Sequence, residues 1–268
     1  MCELMGMSSN QLTNVNLSLT TLAKRGEYPR LHGDGWGVAF YENGGDVRLI
    51  KDAGEAKNSP WVEFIKSQEI RSQVIIAHIR KSTMGEVSYR NTHPFIRELN
   101  GRMHTFAHNG TLQNLKGNPH YKTLNYIPVG NTDSELAFCV LMEKMKVLWG
   151  EYTSNPPIEK RLEIFKGFCA EMRELGPSNF LYTDGDTLFA HGHHRHNPVT
   201  DKIEWPGLNY LHCSDDLKGL ENSAKSGISL TGAGHVATLF ASVPLSEGDW
   251  RPMEEGEVLA VTLGVRDL

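Results

Sequence analysis

Residues 132–149 read TDSELAFCVLMEKMKVLW, and the fold class follows from what this stretch is and what surrounds it. Thr132 and Glu135 stand in the S/T-x-x-E relation of a capping box, in which hydroxyl and carboxyl satisfy free amides at a helix start. Leu136, Val140, Leu141, Met145 and Leu148 follow at helical spacing, so a helix is predicted over Asp133 to Trp149. A second, Ile158 to Leu175, follows Asn155-Pro156-Pro157 and stops at Gly176-Pro177. On both sides the pattern changes to short apolar runs. These predict strands at Trp36–Tyr41, Val47–Lys51, Val74–Ile79, Met103–Ala107, Asn179–Tyr182, Thr187–His191, Leu208–Cys213, Val236–Val243 and Val258–Leu263. Asn43-Gly44-Gly45 and Thr183-Asp184-Gly185-Asp186 carry hairpin signals, which makes neighbouring strands largely antiparallel. Smaller helices are expected at Pro60–Ile70, with Ser59 as N-cap, and at Leu12–Lys24. Helices in mid-chain with strands on both sides suit an α+β layer architecture. No repeat or linker divides the chain, so one domain over residues 1–268 is expected.

Composition narrows the function classes. The net charge is −5, with 27 basic against 32 acidic side chains spread along the chain, and no polycationic patch is offered to nucleic acid or anionic lipid. No run approaches the ~18 apolar residues of a membrane span, and Met1-Cys2-Glu3-Leu4-Met5 lacks the regions of a signal peptide. A cytoplasmic location is expected. Cys2, Cys139, Cys169 and Cys213 never form a C-x-x-C pair, which argues against a disulfide framework and a structural zinc site. The last three lie in helix-like or strand-like segments, where a free cysteine behaves as a small buried hydrophobe.

Cys2 has another possibility. Methionine is normally trimmed when the next residue is small, and a chain beginning at Cys2 carries a thiol and a free α-amine on one residue. With reference pKa values of ~8.5 and ~7.7–8, the amine can take the thiol proton and later return it to a departing amine. Ala107-His108-Asn109-Gly110-Thr111-Leu112 runs a strand into Asn-Gly, which reads either as a hairpin turn or as an oxyanion hole made by the Asn109 side-chain amide and the Gly110 N–H. Arg80 ends an apolar strand. It reads as a surface charge or as a planar fork for a carboxylate. Asp133 in a first helical turn fits the helix dipole, and a buried carboxylate there could hold an ammonium instead. The loop His191-Gly192-His193-His194-Arg195-His196 suggests a metal, yet no cysteine or acid nearby in sequence completes a ligand shell, so it is read as a solvated turn. Gly33-Asp34-Gly35-Trp36-Gly37 has no following lysine or helix and is no phosphate loop. Neither metal nor cofactor is called for.

Taken in order, these pieces resemble the glutaminase domain of class II, N-terminal-nucleophile (Ntn) glutamine amidotransferases. The resemblance runs through Met1-Cys2, His32-Gly33-Asp34-Gly35-Trp36-Gly37, His78-Ile79-Arg80, Asn91-Thr92-His93-Pro94-Phe95, His108-Asn109-Gly110, Thr132-Asp133-Ser134-Glu135, Ala241-Ser242-Val243-Pro244-Leu245 and Gly256-Glu257. It implies a four-layer αββα Ntn fold of mostly antiparallel sheets. It also implies Cys2 as nucleophile, Asn109 and Gly110 as oxyanion hole, Arg80 and Thr83 on the substrate α-carboxylate, and Asp133 on its α-amine. Lys81 and Met84 depart from the aromatic and the histidine that better-known members carry in this loop. The length resembles the small stand-alone branch without a fused synthase. The implied substrate is glutamine, hydrolysed to glutamate and ammonia. Alternatives are a γ-glutamyl amide conjugate, as in a relative in ergothioneine synthesis, or a catalytically silent glutamine-binding subunit. A separate synthase subunit as ammonia acceptor stays open.

Overall fold

The computed structural model describes residues 2–14, 33–41, 45–56, 59–68, 70–81, 85–197, 200–214 and 234–267. The capped stretch at 132 forms helix α2 (Asp133–Trp149), with α1 (Pro60–Ser67) before it and α3 (Ile158–Arg173) after. Thr132 accepts a hydrogen bond from the Glu135 N–H, as a cap should. The capping box is not reciprocal, however. Glu135 turns its carboxylate to Arg97 and to the Val129 and Gly130 amides, tying the preceding loop to the helix start. Ser59 makes no side-chain cap either; its hydroxyl donates to Asp52.

The strands assemble, among the described residues, into two large antiparallel sheets. The first contains β1 (Glu3–Asn14), β2 (Trp36–Tyr41), β3 (Val47–Asp52), β4 (Arg71–Ile79), β11 (Asn209–Ser214), β12 (Val236–Ala241) and β13 (Arg251–Pro252), in the order β13-β11-β12-β1-β4-β2-β3. The second contains β5 (Phe95–Leu99), β6 (Arg102–Gly110), β7 (Ser178–Thr183), β8 (Thr187–His191), β14 (Val258–Thr262) and β15 (Val265–Arg266), in the order β15-β14-β8-β7-β6-β5. A short hairpin of β9 (Arg195–Asn197) and β10 (Lys202–Glu204) stands apart.

Period-two alternation sorts the side chains into three apolar layers. Met5, Met7, Ile75 and Ala77 face outward from the first sheet and pack with Val62 and Ile65 of α1. Leu4, Ile76, Ala107, Leu181 and Ala190 fill the space between the sheets. Phe106, Phe180 and Phe189 face outward from the second sheet, beneath Phe138 and Leu141 of α2 and Phe165 and Phe168 of α3. The order is helix, sheet, sheet, helix, as the four-layer αββα expectation has it.

The helix expected over Leu12–Lys24 fails as well. Leu12–Asn14 belong to β1 rather than to a helix, and the rest of that span, 15–24, lies outside the described residues. β1 is central, paired with β12 on one side and β4 on the other. Its Gly6 sits where a Cβ would meet Leu181 Cδ1 at 2.9 Å, so a side chain here would force Leu181 to shift between the sheets.

Candidate active site

The same alternation gathers the candidate residues. Even-numbered residues of β1 and β4 and odd-numbered residues at the end of β6 face the space between the sheets. Glu3 pairs with Ile79, so Cys2 and Arg80, one residue further on, emerge at the same end of the sheet. Asn109 arrives at that end from the facing sheet and donates from Nδ2 to the Cys2 carbonyl oxygen at 2.9 Å.

Cys2 is half-buried and held at both ends. Its sulfur accepts from the Lys81 N–H at 3.3 Å and the thiol donates to the Lys81 oxygen at 3.2 Å. Burial pushes the thiol pKa up; the Lys81 amide and the Arg80 charge pull it down, and Asp133 adds to the rise. Arg80 is the residue immediately before Lys81, whose backbone N–H and oxygen hold the sulfur.

Arg80 is 3% exposed, which excludes the surface-charge reading. Nη1 donates to the Asp34 and Glu86 carbonyls, and the Arg80 N–H donates to the Gly35 oxygen at 2.7 Å. Burial lowers its pKa; the thiol, Asp34 and Asp133 oppose that. The glycines of residues 33–37 thus bring the chain past Arg80 and the Asn91–Pro94 turn. A Cβ at Gly37 would meet the His93 oxygen at 2.4 Å. Trp36 is buried in the outer core beside α1.

Asn109-Gly110 is not a turn. Both residues end β6 as paired strand, Asn109 against Asn179 and Gly110 against Ser178. A Cβ on Gly110 would lie 1.8 Å from the Pro177 oxygen, so this close crossing admits no side chain. Asn109 Nδ2 also donates to Ser242 Oγ at 2.9 Å, and Ser242 in turn accepts from the Leu4 N–H. Asp133 is buried, and its Oδ2 accepts from the Leu112 N–H at 2.7 Å. It is also an acid of the first turn of α2, the end of a helix at which the dipole favours negative charge. Met1, His32, Thr83 and Met84 lie outside the described residues.

Behind Arg80 a layer of histidines completes the surroundings. His78 and His93 have ring centroids 4.3 Å apart, and His93 continues onto Phe95 at 4.5 Å. Burial, followed by the neighbouring His78 and His108, holds the His93 pKa well below the usual range. His108 bonds Ser134 and the Pro177 oxygen, joining β6 to the start of α2. Sequence reasoning gave no role to Ser242 or Asn179. Ser242 lay in a quoted motif; Asn179 had no signal, since its importance comes from being opposite Asn109 across two strands.

A family model described as class-II glutamine amidotransferases matches residues 1–267. The chain is 34% identical over 280 residues to a protein of Escherichia coli (strain K12) named putative glutamine amidotransferase YafJ, covering 99% of each chain. It is 35% identical over 257 residues to a putative glutamine amidotransferase of Haemophilus influenzae, covering 96% of this chain and 82% of that one. Among solved structures, a predicted glutamine amidotransferase from Pseudomonas aeruginosa PA01 superposes with a TM-score of 0.67 at 31% identity, covering 99% of both chains. The glutamine phosphoribosylpyrophosphate amidotransferase of B. subtilis shares the fold, with a TM-score of 0.63 at 15% identity over 99% of this chain and 48% of that one.

Proposed function

The chain belongs to the class II glutamine amidotransferases, and from that premise we propose that it hydrolyses the side-chain amide of glutamine through a thioester on Cys2. The observation that carries this reading is the meeting of Cys2, Arg80 and Asn109, remote in sequence, at one end of the space between the sheets. The single family match over residues 1–267 supports treating the chain as one domain.

In the proposed mechanism the Cys2 sulfur attacks the glutamine δ-carbonyl carbon, and the thiol proton passes to the α-amine of a chain beginning at Cys2. The carbonyl oxygen gains charge facing Asn109 Nδ2 and the Gly110 N–H. Collapse expels ammonia, which leaves with the proton held by the α-ammonium. Water then attacks the γ-glutamyl thioester, releasing glutamate and restoring the thiol. Arg80 binds the substrate α-carboxylate together with Thr83, and Asp133 binds the α-amine. The Asn109 amide already donates to the Cys2 oxygen and Ser242, so oxyanion binding requires it to exchange one partner for the substrate oxygen.

The decisive experiment follows glutamate and ammonia from glutamine, with γ-glutamyl amides alongside, using protein verified to begin at Cys2. Equimolar glutamate and ammonia from glutamine are expected. Turnover of a γ-glutamyl amide alone would move the substrate to that class, and no turnover of either would sink the hydrolase reading. Asn109→Ala is expected to lower kcat by about 10²–10³-fold, the usual cost of one oxyanion donor. Steady-state ammonia release checks it, and unchanged turnover would remove Asn109 from the mechanism.

A further inference from the structure

The loop read as a solvated turn is something else. His191 is a buried residue of β8, and the chain continues through Gly192 to His193 and His194, which meet a carboxylate from far along the sequence. Glu255 presents Oε1 to His193 Nε2 and Oε2 to His194 Nε2, each at 3.6 Å. One ligand atom from each of the three residues falls within 4.8 Å of the others. A separation of 3.6 Å is longer than the ~2.7–3.2 Å of an N–H···O hydrogen bond. With one ligand atom from each residue inside that 4.8 Å span, a small adjustment of the exposed Glu255 side chain would bring all three onto one ion with bonds of ~2.0–2.1 Å.

The backbone holds these groups in place. Gly192 donates to the Glu257 oxygen and accepts from the Gly256 N–H, so the Glu255 turn is fastened to the histidine loop from both sides. The His193 N–H donates to Asn179 Oδ1, and Asn179 Nδ2 donates to the His194 oxygen. His193 Nδ1 contacts Ser178 Oγ at 3.3 Å, which fixes the ring and leaves Nε2 as the ligating atom. The two imidazoles are splayed at 65°, aiming their Nε2 atoms at the two oxygens of one carboxylate. Glu255 is more than half exposed, so further coordination positions open to solvent. Arg173 also bears on His193, a positive charge that Glu255 offsets.

We propose that His193, His194 and Glu255 form a binding site for a divalent cation of the zinc class. Two imidazoles and one carboxylate suit zinc and its transition-metal neighbours and disfavour magnesium and calcium, which take oxygen ligands. The site is joined to the Cys2 region by one side chain: Asn179 Nδ2, which holds the His194 oxygen, also donates to the Asn109 oxygen. The proposal does not depend on glutamine hydrolysis.

The experiment is a zinc titration of the untagged full chain carrying Cys2→Ser, so that the candidate nucleophile contributes no thiolate, in competition with a chromophoric chelator. One zinc per chain is expected, bound at least about tenfold more weakly by His193→Ala, His194→Ala and Glu255→Gln, with excess magnesium failing to compete. Glu255→Gln changes an exposed group and leaves the fold intact, which circular dichroism checks. Absence of stoichiometric zinc, equal affinity in the three variants, or displacement by magnesium would each overturn the assignment.

Discussion

Alanine in place of Cys2 is expected to reduce glutamine hydrolysis by about 10⁴-fold or more, the scale on which removal of a covalent nucleophile acts. Glutamine binding should persist, because the groups assigned to the α-carboxylate and α-amine are untouched. No other cysteine can replace it. Cys139, Cys169 and Cys213 are buried, and burial pushes Cys139 and Cys213 up to about 11 and Cys169 well above the usual thiol range, so thiolate is scarce at each near neutral pH. Burial also raises the Cys2 thiol, and attack therefore needs a base beside it. The α-amine, with a reference pKa of ~7.7–8, supplies one only when Cys2 is the first residue. The measurement is glutamate formed per chain, with the N-terminus read by mass spectrometry on the same material. A Cys2→Ala chain that keeps turnover within about tenfold of the parent would move the chemistry elsewhere, since the nucleophile cannot be spared. Full turnover with Met1 retained would refute the α-amine as base.

Much of this was legible in the residues. The helix at 133–149 was readable because cap, periodicity and stop agree, and the strands at 36–41 and 187–191 because β-branched and aromatic runs are bounded by turn residues. β1 was not, although it lies at the centre of the first sheet. Its sequence, ELMGMSSNQLTN, has a glycine, serines and asparagines where strands favour branched side chains; pairing on both edges and close packing at Gly6 override that preference. The positions of Cys2, Arg80 and Asn109 could be inferred only as an ordered set of motifs. Nothing local says that β1 and β4 run side by side, and that register is what makes position 2 the neighbour of position 80. Glu255 was invisible for a similar reason, since backbone hydrogen bonds to Gly192 bring it to the histidines. Where a residue's role is local the sequence displays it, and where it depends on strand pairing the fold must be seen.

The largest stability effect is expected at a residue the sequence left unremarked. Arg161, on α3, donates from Nη1 to Asp184 Oδ2 at 2.6 Å and from Nη2 to Asp186 at 3.1 Å, with the Arg161 and Asp184 side chains 5% and 0% exposed. Asp184 also accepts the Asp186 and Thr187 N–H groups through Oδ1, so one carboxylate both shapes the β7–β8 turn and anchors it to the helix. Arg161→Met keeps most of the apolar stem and removes the charge, leaving Asp184 buried and uncompensated. Breaking a buried pair this way costs about 3–5 kcal/mol, which corresponds to a fall in Tm on the order of 10 °C for a chain of this size. Adding Asp184→Asn should recover much of the loss, because the amide oxygen can still accept both turn N–H groups while the orphan charge disappears. Thermal unfolding of the two variants checks this. A double variant no more stable than Arg161→Met would mean that lost packing, and not a stranded carboxylate, sets the cost. The β7–β8 turn lies at the far end of β7 from Asn179, so turnover per folded chain should stay near that of the parent below the transition. Stability and catalysis would then separate along a single strand, with the charge lock at one end and Asn179, opposite Asn109, at the other.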